Sequence, residues 1–526
     1  MTTVRTFFIL GIFCALSSVA IFGAVSSVSI TQSGSASGNC TSNVQTPAFF
    51  NNSANWGSGA SQIGPGTVVL FCGTFTGTAG QAGFTFQGSG SSTSPVTLKF
   101  DTGAVMTAPY WGGATTGAIN CTGQSYVTVD GGTNGTIQNS ANGTALGNHQ
   151  SSYGLFFNSC PDAEIENLTI RNIYINQGGA STSTDVGGQN TGDISLQGKS
   201  TNTKIHNNVL SNSRTGIWIS FDSGGDASGI QLYNNTINDH PWSINIGADN
   251  TNSTASGVSI HDNVISDWSN WQFPIATYHT DGIIVYNDVT TAPIGTYSIY
   301  NNTFTGTLGN GSPTGYIACG ETSACTIFNN VMVDTGSYAC YGYIWLYISG
   351  GPDYVYNNTL IGSSTTSGSS VAVTLDGSPV TVKNNIFLNV AIGLHDYATL
   401  NLDVVASDHN LWLTTGGGAP QVATNDSKWI TYSAWQALGF DANSVTSNPL
   451  LSSTYVPQAG SPVIGRGANM TTMGISALDA DKVGTPRAGT GNCTPGIAGC
   501  WDAGAYAYSS ASTPPPPPIG VSATSK

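Results

Sequence analysis

Two histidines, His240 and His279, each stand within two residues of an aspartate, Asp239 and Asp281, and Arg214 lies one repeat of the chain earlier. An imidazole titrates near neutral pH and can take or return a proton, while a guanidinium holds a carboxylate or a developing anion. The aromatic residues Trp218, Trp242, Trp268, Trp271 and Tyr278 surround this group in sequence. Aromatic faces stack on the apolar C–H faces of pyranose rings. The set therefore predicts a sugar-processing cleft, with His279, Asp281, His240, Asp239 and Arg214 as catalytic candidates and the five aromatic residues as substrate contacts. Two chemistries suit it. In elimination, His279 or His240 takes the proton beside a uronate carboxylate that Arg214 or a cation neutralises. In hydrolysis, Asp281 and a second carboxylate such as Asp239 serve as acid and base.

A further acidic set, Asp222, Asp249, Asp288 and Glu321, falls six residues after Gly216, Ser243, Gly282 and Gly315. Carboxylates stacked at one offset repel each other and are relieved by splaying into solvent, by protonation or by a bridging cation such as Ca²⁺. The competing reading is a strand-ending turn, which Asp222-Ser223-Gly224 fits well.

What must position these groups is a repeat. Seven anchors recur, from Asn207-Asn208-Val209-Leu210 and Asn234-Asn235-Thr236-Ile237 to Asn384-Asn385-Ile386-Phe387, with second residues at 208, 235, 263, 302, 330, 358 and 385. The steps are 27, 28, 39, 28, 28 and 27 residues, and the long one carries Trp268, Trp271, Tyr278 and His279. Such a period means coils that bury their apolar faces only by stacking. Runs such as Gly216-Ile217-Trp218-Ile219 and Gly229-Ile230-Gln231-Leu232-Tyr233 alternate as strands do, at least two to a coil. Repeated strands without crossover helices predict a solenoid with parallel pairing between coils. The stacked Asn amides would then bond their own backbone and the next coil. The residues just before each anchor, His206, Tyr233, His261, Tyr300, Phe328, Tyr356 and Lys383, predict an outward ladder that stabilises the exterior.

This pattern resembles the right-handed single-stranded parallel β-helix proteins of the pectin-lyase-like superfamily, over about residues 120–412. The resemblance implies an all-β fold and a scaffold that hosts lyases, hydrolases, esterases, epimerases and adhesins. Thr280-Asp281-Gly282 resembles part of the polygalacturonase signature, but His279 stands where that family has Asn, and its Gly-His-Gly and Arg-Ile-Lys motifs are missing. Asn238-Asp239-His240 is similar to a fragment of the pectate-lyase pattern without its Arg-rich motif.

The organisation expected is a signal peptide over 1–26, an N-terminal cap with the first coils over 27–119, repeats over 120–412, C-terminal coils and tail over 413–508 and a Pro-rich linker over 509–526. The apolar run from Phe7 to Phe22 behind Arg5 predicts secretion, to the outside or the periplasm. Without Cys14 nine cysteines remain; Cys319 with Cys325, and Cys493 with Cys500, sit across short turns as plausible bridges. Charged residues are 7% of the chain and the net charge is −15. Nucleic acid is thereby excluded as a partner. The expectation is a monomeric, secreted polysaccharide-active protein, lyase or glycoside hydrolase, without a membrane span once the signal is removed. The alternative is a non-catalytic glycan-binding or adhesin-like solenoid.

Overall fold

The computed structural model describes residues 23–175, 190–222, 224–248, 252–268, 279–288, 293–306, 312–335, 340, 342–347, 350–363, 371–377, 379–396, 403–414, 416–423, 429–487 and 501–509, and of residues 279 and 312–314 the backbone alone. Most of the signal segment and of the Pro-rich linker, with Cys493 and Cys500, lie outside these residues.

Each coil carries three short strands. In one coil these are Gln231–Tyr233, Thr236–Asn238 and Trp242–Ala248. Each pairs in parallel with its counterparts in the coils before and after. Among the described residues the pairing builds three sheets of 14, 12 and 13 strands, called here first, second and third in the order a coil visits them. One pairing, Gln421–Ala423 with Trp429–Ile430 at the end of the third sheet, is antiparallel. The chain is a right-handed parallel β-helix, the hand that parallel crossovers take almost without exception.

A three-residue strand has no stability of its own, so the interior columns carry the fold. Ile205, Leu232, Ile260, Ile299, Ile327, Val355 and Val382 lie in register and are fully buried. Each such side chain contributes about 1.5–3 kcal/mol by leaving water.

The corner between the first and second sheets explains the anchors. The first residue of each, from Asn207 (φ 57°) and Asn234 (54°) to Asn384 (61°), takes the left-handed conformation that Asn and Asp tolerate best. The second turns inward. Asn208 Nδ2 donates to Asn235 Oδ1 at 3.0 Å, and the relay continues through Asn263, Asn302, Asn330, Asn358 and Asn385 to Asn410. Each Oδ1 also accepts a backbone N–H of the preceding coil, so the buried corner groups are satisfied as the sequence implied.

Beside this corner the predicted exterior ladder is stacked. The rings of His206, Tyr233, His261, Tyr300 and Phe328 follow one another at 4.5, 5.2, 4.7 and 4.7 Å with interplanar angles of 10° or less. The C-terminal tail covers the upper end: Met470, Leu478 and Trp501 pack on Phe328 and Tyr356. Buried Arg487 fastens it by donating to Asn329 Oδ1 (3.0 Å) and to the carbonyl of Gly504 (2.9 Å). At the other end, the short helix Pro47–Asn51 inserts Phe50 among Trp56, Phe71, Phe84 and Phe86.

Three disulfides are present, Cys40–Cys72, Cys121–Cys160 and Cys319–Cys325, and Cys340 is a buried free thiol. Only the third pairing was legible from spacing. Among the described residues no helix is long and apolar enough to cross a membrane.

Candidate functional site

The third sheet carries the longest strands, and its outward columns follow from register. One runs Phe156, Ser195, Trp218, Asn245, Ile284, Ala318, Trp345, Thr374 and His395. A second includes Ser220, Gly247 and Tyr286, and further along Gly320, Tyr347 and Asp376. The glycines here have a purpose. A Cβ on Gly247 would overlap the Tyr286 ring, and one on Gly320 would overlap the Tyr347 ring, so both tyrosines lie flat across the preceding coil. Trp345 and Tyr347 stack at 4.3 Å, 26° apart. All three aromatic residues remain partly exposed, which makes a flat platform suited to sugar faces.

Glu321 sits at the edge of this platform. Its backbone N–H donates to the carbonyl of Tyr347 at 2.8 Å, and its φ is 43°. Left-handed backbone is uncommon for glutamate, which lacks the short side chain that lets Asn and Asp tolerate it. The Cys319–Cys325 disulfide closes the six-residue turn that holds it there. Burial, followed by the charges of Asp281, Glu321 and Asp288, drives the Tyr347 phenol far above its ordinary range. Tyr347 is therefore a protonated donor at neutral pH, next to carboxylates that can accept.

The structure separates the sequence-predicted residues. His240 and Asp281 are fully buried and Arg214 is 2% exposed. His240 Nε2 meets Asp193 Oδ2 at 2.9 Å, with both side chains closed to solvent. Burial lifts the Asp193 carboxyl to about 6 against the pull of His240. This pair joins two coils that are not neighbours, since Thr191–Gln197 and Trp242–Ala248 flank Thr215–Ser220. His240 is a buried pin and does not face a substrate. His279 does lie opposite His240, two residues before the Trp242–Asp281 pair, but its side chain is outside the described residues. Asp239 is half-buried at a left-handed corner, φ 61°.

Trp268 is a correction of a different kind. It is fully buried against Tyr316 (4.5 Å) and Phe304 (6.0 Å), where the coil interior needs a large side chain, so it offers no face to a sugar. Trp218 and Trp242 remain partly exposed on the third sheet, and Trp271 and Tyr278 lie outside the described residues.

The acidic column also breaks. Register is shifted between Thr280 and Asp281, where Pro313 pairs with Thr280 but Gly315, not Thr314, pairs with Asp281. One extra residue moves Glu321 opposite Asn287, two positions beyond the Val285–Cys319 pair, and so out of line with Asp288. Asp222 and Asp288 stand two coils apart, about 10 Å between backbones at the usual strand spacing. Asp249, between them, is outside the described residues. Among the described residues Asp222, Asp288 and Glu321 do not gather as a group that could hold a metal ion. Cys319, Cys325 and Asp353 do cluster, but the two sulfurs are joined to each other and are not thiolate ligands.

No family model matches the chain, and no curated protein matches it in sequence. Among solved structures it is similar to pectate lyase Pel9A (15% identity, TM-score 0.42, 92% of this chain and 98% of that one). It is also similar to XylC in complex with xylose (10%, 0.48, 91% and 98%). A mutant of the PL6 family alginate lyase AlyGC is similar at 14% identity and TM-score 0.46, over 75% of this chain and 53% of that one. This chain thus spans about half of the alginate lyase, and the fold rests on the strand pairing above rather than on these likenesses.

Sequence reasoning found Glu321 but gave it to a metal. It passed over Tyr286, Trp345, Tyr347 and Asp193, although glycine one coil below an outward aromatic residue is a signal that the repeat alignment could have shown.

Proposed function

We propose that this protein is a secreted enzyme that cleaves a polysaccharide laid along the outer face of the third sheet, and that it does so by hydrolysing bonds between neutral sugars. The observation that carries this reading is Glu321, held in left-handed backbone on a disulfide-closed turn beside the Trp345–Tyr347 platform. Rings of Trp345, Tyr347 and Tyr286 bind sugar faces. Glu321 supplies the carboxylate that activates water or attacks the anomeric carbon, the exposed Asp288 is the candidate acid that protonates the departing oxygen, and the Tyr347 phenol donates a hydrogen bond to the charge developing there. Burial first, and then the charge of the buried Asp281, keep that phenol protonated, so it acts as a hydrogen-bond donor throughout. His279, on the same strand as Asp281, remains a candidate for the same face.

Elimination is disfavoured by charge. Between Arg214 and Lys383 the chain has no lysine or arginine, so the coils that carry Glu321 and Tyr347 supply no lysine or arginine of their own to neutralise a uronate as its neighbouring proton leaves. The three disulfides suit an oxidising compartment, in line with secretion. A binding role without cleavage draws support from the burial of Asp281, which leaves the half-buried Asp222, Glu321 and Asp376 and the exposed Asp288 as the described carboxylates of this face.

The Tyr347→Phe variant tests the assignment. It keeps the ring and removes the hydroxyl, so turnover should fall about tenfold or more, the worth of one hydrogen bond to a charged group, with glycan affinity little changed. Full turnover in that variant would remove Tyr347 from the chemistry.

A further inference from the structure

A second cavity lies on another side of the coil, at the corner between the first and second sheets where the C-terminal tail meets the repeats. Its volume is about 570 Å³, and Asn234, Asp262 and Asn301 from successive anchors line one wall, with Tyr455, Lys482 and Tyr506 from the tail on the other. That size falls within the ~300–1,000 Å³ span of small-molecule sites.

Two of its polar groups are unmatched. Lys482 Nζ rests on the carbonyl of Asn301, and among the described residues it forms no ion pair. The nearest anchor carboxylate, Asp262, is already engaged by His261 Nδ1 at 2.7 Å. Burial accordingly lowers the Lys482 ammonium to about 7, with Asp262 and Asp481 opposing the shift only in part. Asn301 Oδ1 is buried without a hydrogen-bond donor. A half-buried ammonium whose neighbouring carboxylates, Asp262 and Asp481, do not reach it as an ion pair costs free energy that an entering anion would recover. An orphan amide oxygen asks for a hydroxyl donor, and two tyrosines offer ring edges and hydroxyls of their own.

We infer that this cavity is a binding site for a sugar acid, with the carboxylate of a uronic acid residue on Lys482 and a ring hydroxyl donating to Asn301 Oδ1. The site is remote from the third sheet and takes no part in cleavage, so it stands or falls independently of the hydrolytic reading. It would let the protein hold acidic substituents of a glycan whose main chain is processed elsewhere.

The test is calorimetric titration of the full mature chain with glucuronate and galacturonate, against glucose, galactose and inorganic phosphate, for wild type, Lys482→Gln and Lys482→Arg. The expected result is saturable binding of a uronate to wild type and at least 10-fold weaker binding to Lys482→Gln. Lys482→Arg, which keeps a cation at the same place, should bind within a few-fold of wild type, and an unchanged melting temperature for Lys482→Gln separates loss of the charge from loosening of the tail. Glucose and galactose should not bind there. Absence of uronate binding to wild type, equal binding by Lys482→Gln, or phosphate binding as tight as the uronate would each overturn the assignment.

Discussion

Replacing Asn302 with alanine should cost about 2–6 kcal/mol, because the amide serves four partners inside a closed corner. Its Oδ1 accepts from the backbone N (3.1 Å) and Nδ2 (3.0 Å) of Asn263, and its Nδ2 donates to the carbonyl of Ile260 (2.9 Å) and to Asn330 Oδ1 (3.0 Å). Asn330 Oδ1 would still receive the backbone N–H of residue 302, at 3.0 Å. The Asn263 backbone N–H and one of its two Nδ2 protons would have nothing, while the other keeps the carbonyl of Leu232 at 2.9 Å, and an unsatisfied buried donor costs about 1–3 kcal/mol. Stability in a solenoid is close to a sum over coils and their interfaces, so the loss falls on one interface and the chain need not unfold in a single step. Urea unfolding followed by both tryptophan fluorescence and circular dichroism, with amide exchange over residues 258–333, reads it directly. A loss below about 1 kcal/mol, the range of ordinary surface substitutions, would refute the relay as a stabilising device.

Three further outcomes follow from the same structure. Gly247→Ala forces the Tyr286 ring off the sheet and should weaken glycan binding by about 2–10-fold, the equivalent of ~0.5–1.5 kcal/mol, in titration calorimetry; unchanged affinity would take Tyr286 off the binding face. Cys319→Ser with Cys325→Ser releases the Glu321 turn and should lower turnover, measured well below the melting transition, by about tenfold or more, because misplacing a reacting group is costly, with a stability loss of about 2–5 kcal/mol besides; full activity would show that the bridge does not position Glu321. Stability should fall as pH rises from about 4 to about 6, because the folded state raises the Asp193 pKa and so binds more protons than the unfolded chain across that window. Melting curves at the two ends of the window should differ less in Asp193→Asn, and an equal difference would place the pH dependence elsewhere.

The fold was legible because its corner demands two things at once, a left-handed residue and an inward amide, and Asn-Asn or Asp-Asn supplies both at a nearly constant step. The candidate site was legible only in part. Offsets counted along the sequence carried the alignment as far as Asp281, where one extra residue in the strand Ser312–Gly320 moved every later column by one. That slip turned Glu321 from a member of an acidic stack into a neighbour of Tyr347. Trp268 and His240 mislead for another reason. Sequence gives the type of a residue near a corner but not whether it turns in or out, and the interior there takes a tryptophan and a histidine–aspartate pair. Cys40–Cys72 and Cys121–Cys160 join cysteines 32 and 39 residues apart, which spacing alone cannot pair.

The most direct measurement of the central claim is product analysis after incubating the mature wild-type chain and Glu321→Gln with a panel of neutral and uronic-acid polysaccharides, with Ca²⁺ and with chelator. Hydrolysis at the Glu321 face requires that wild type release reducing ends from a neutral glycan, without the ultraviolet absorbance of unsaturated uronate ends and regardless of chelator, and that Glu321→Gln lose about 10²-fold or more of that rate. Unsaturated ends, dependence on Ca²⁺, or a Glu321→Gln chain as active as wild type would contradict it.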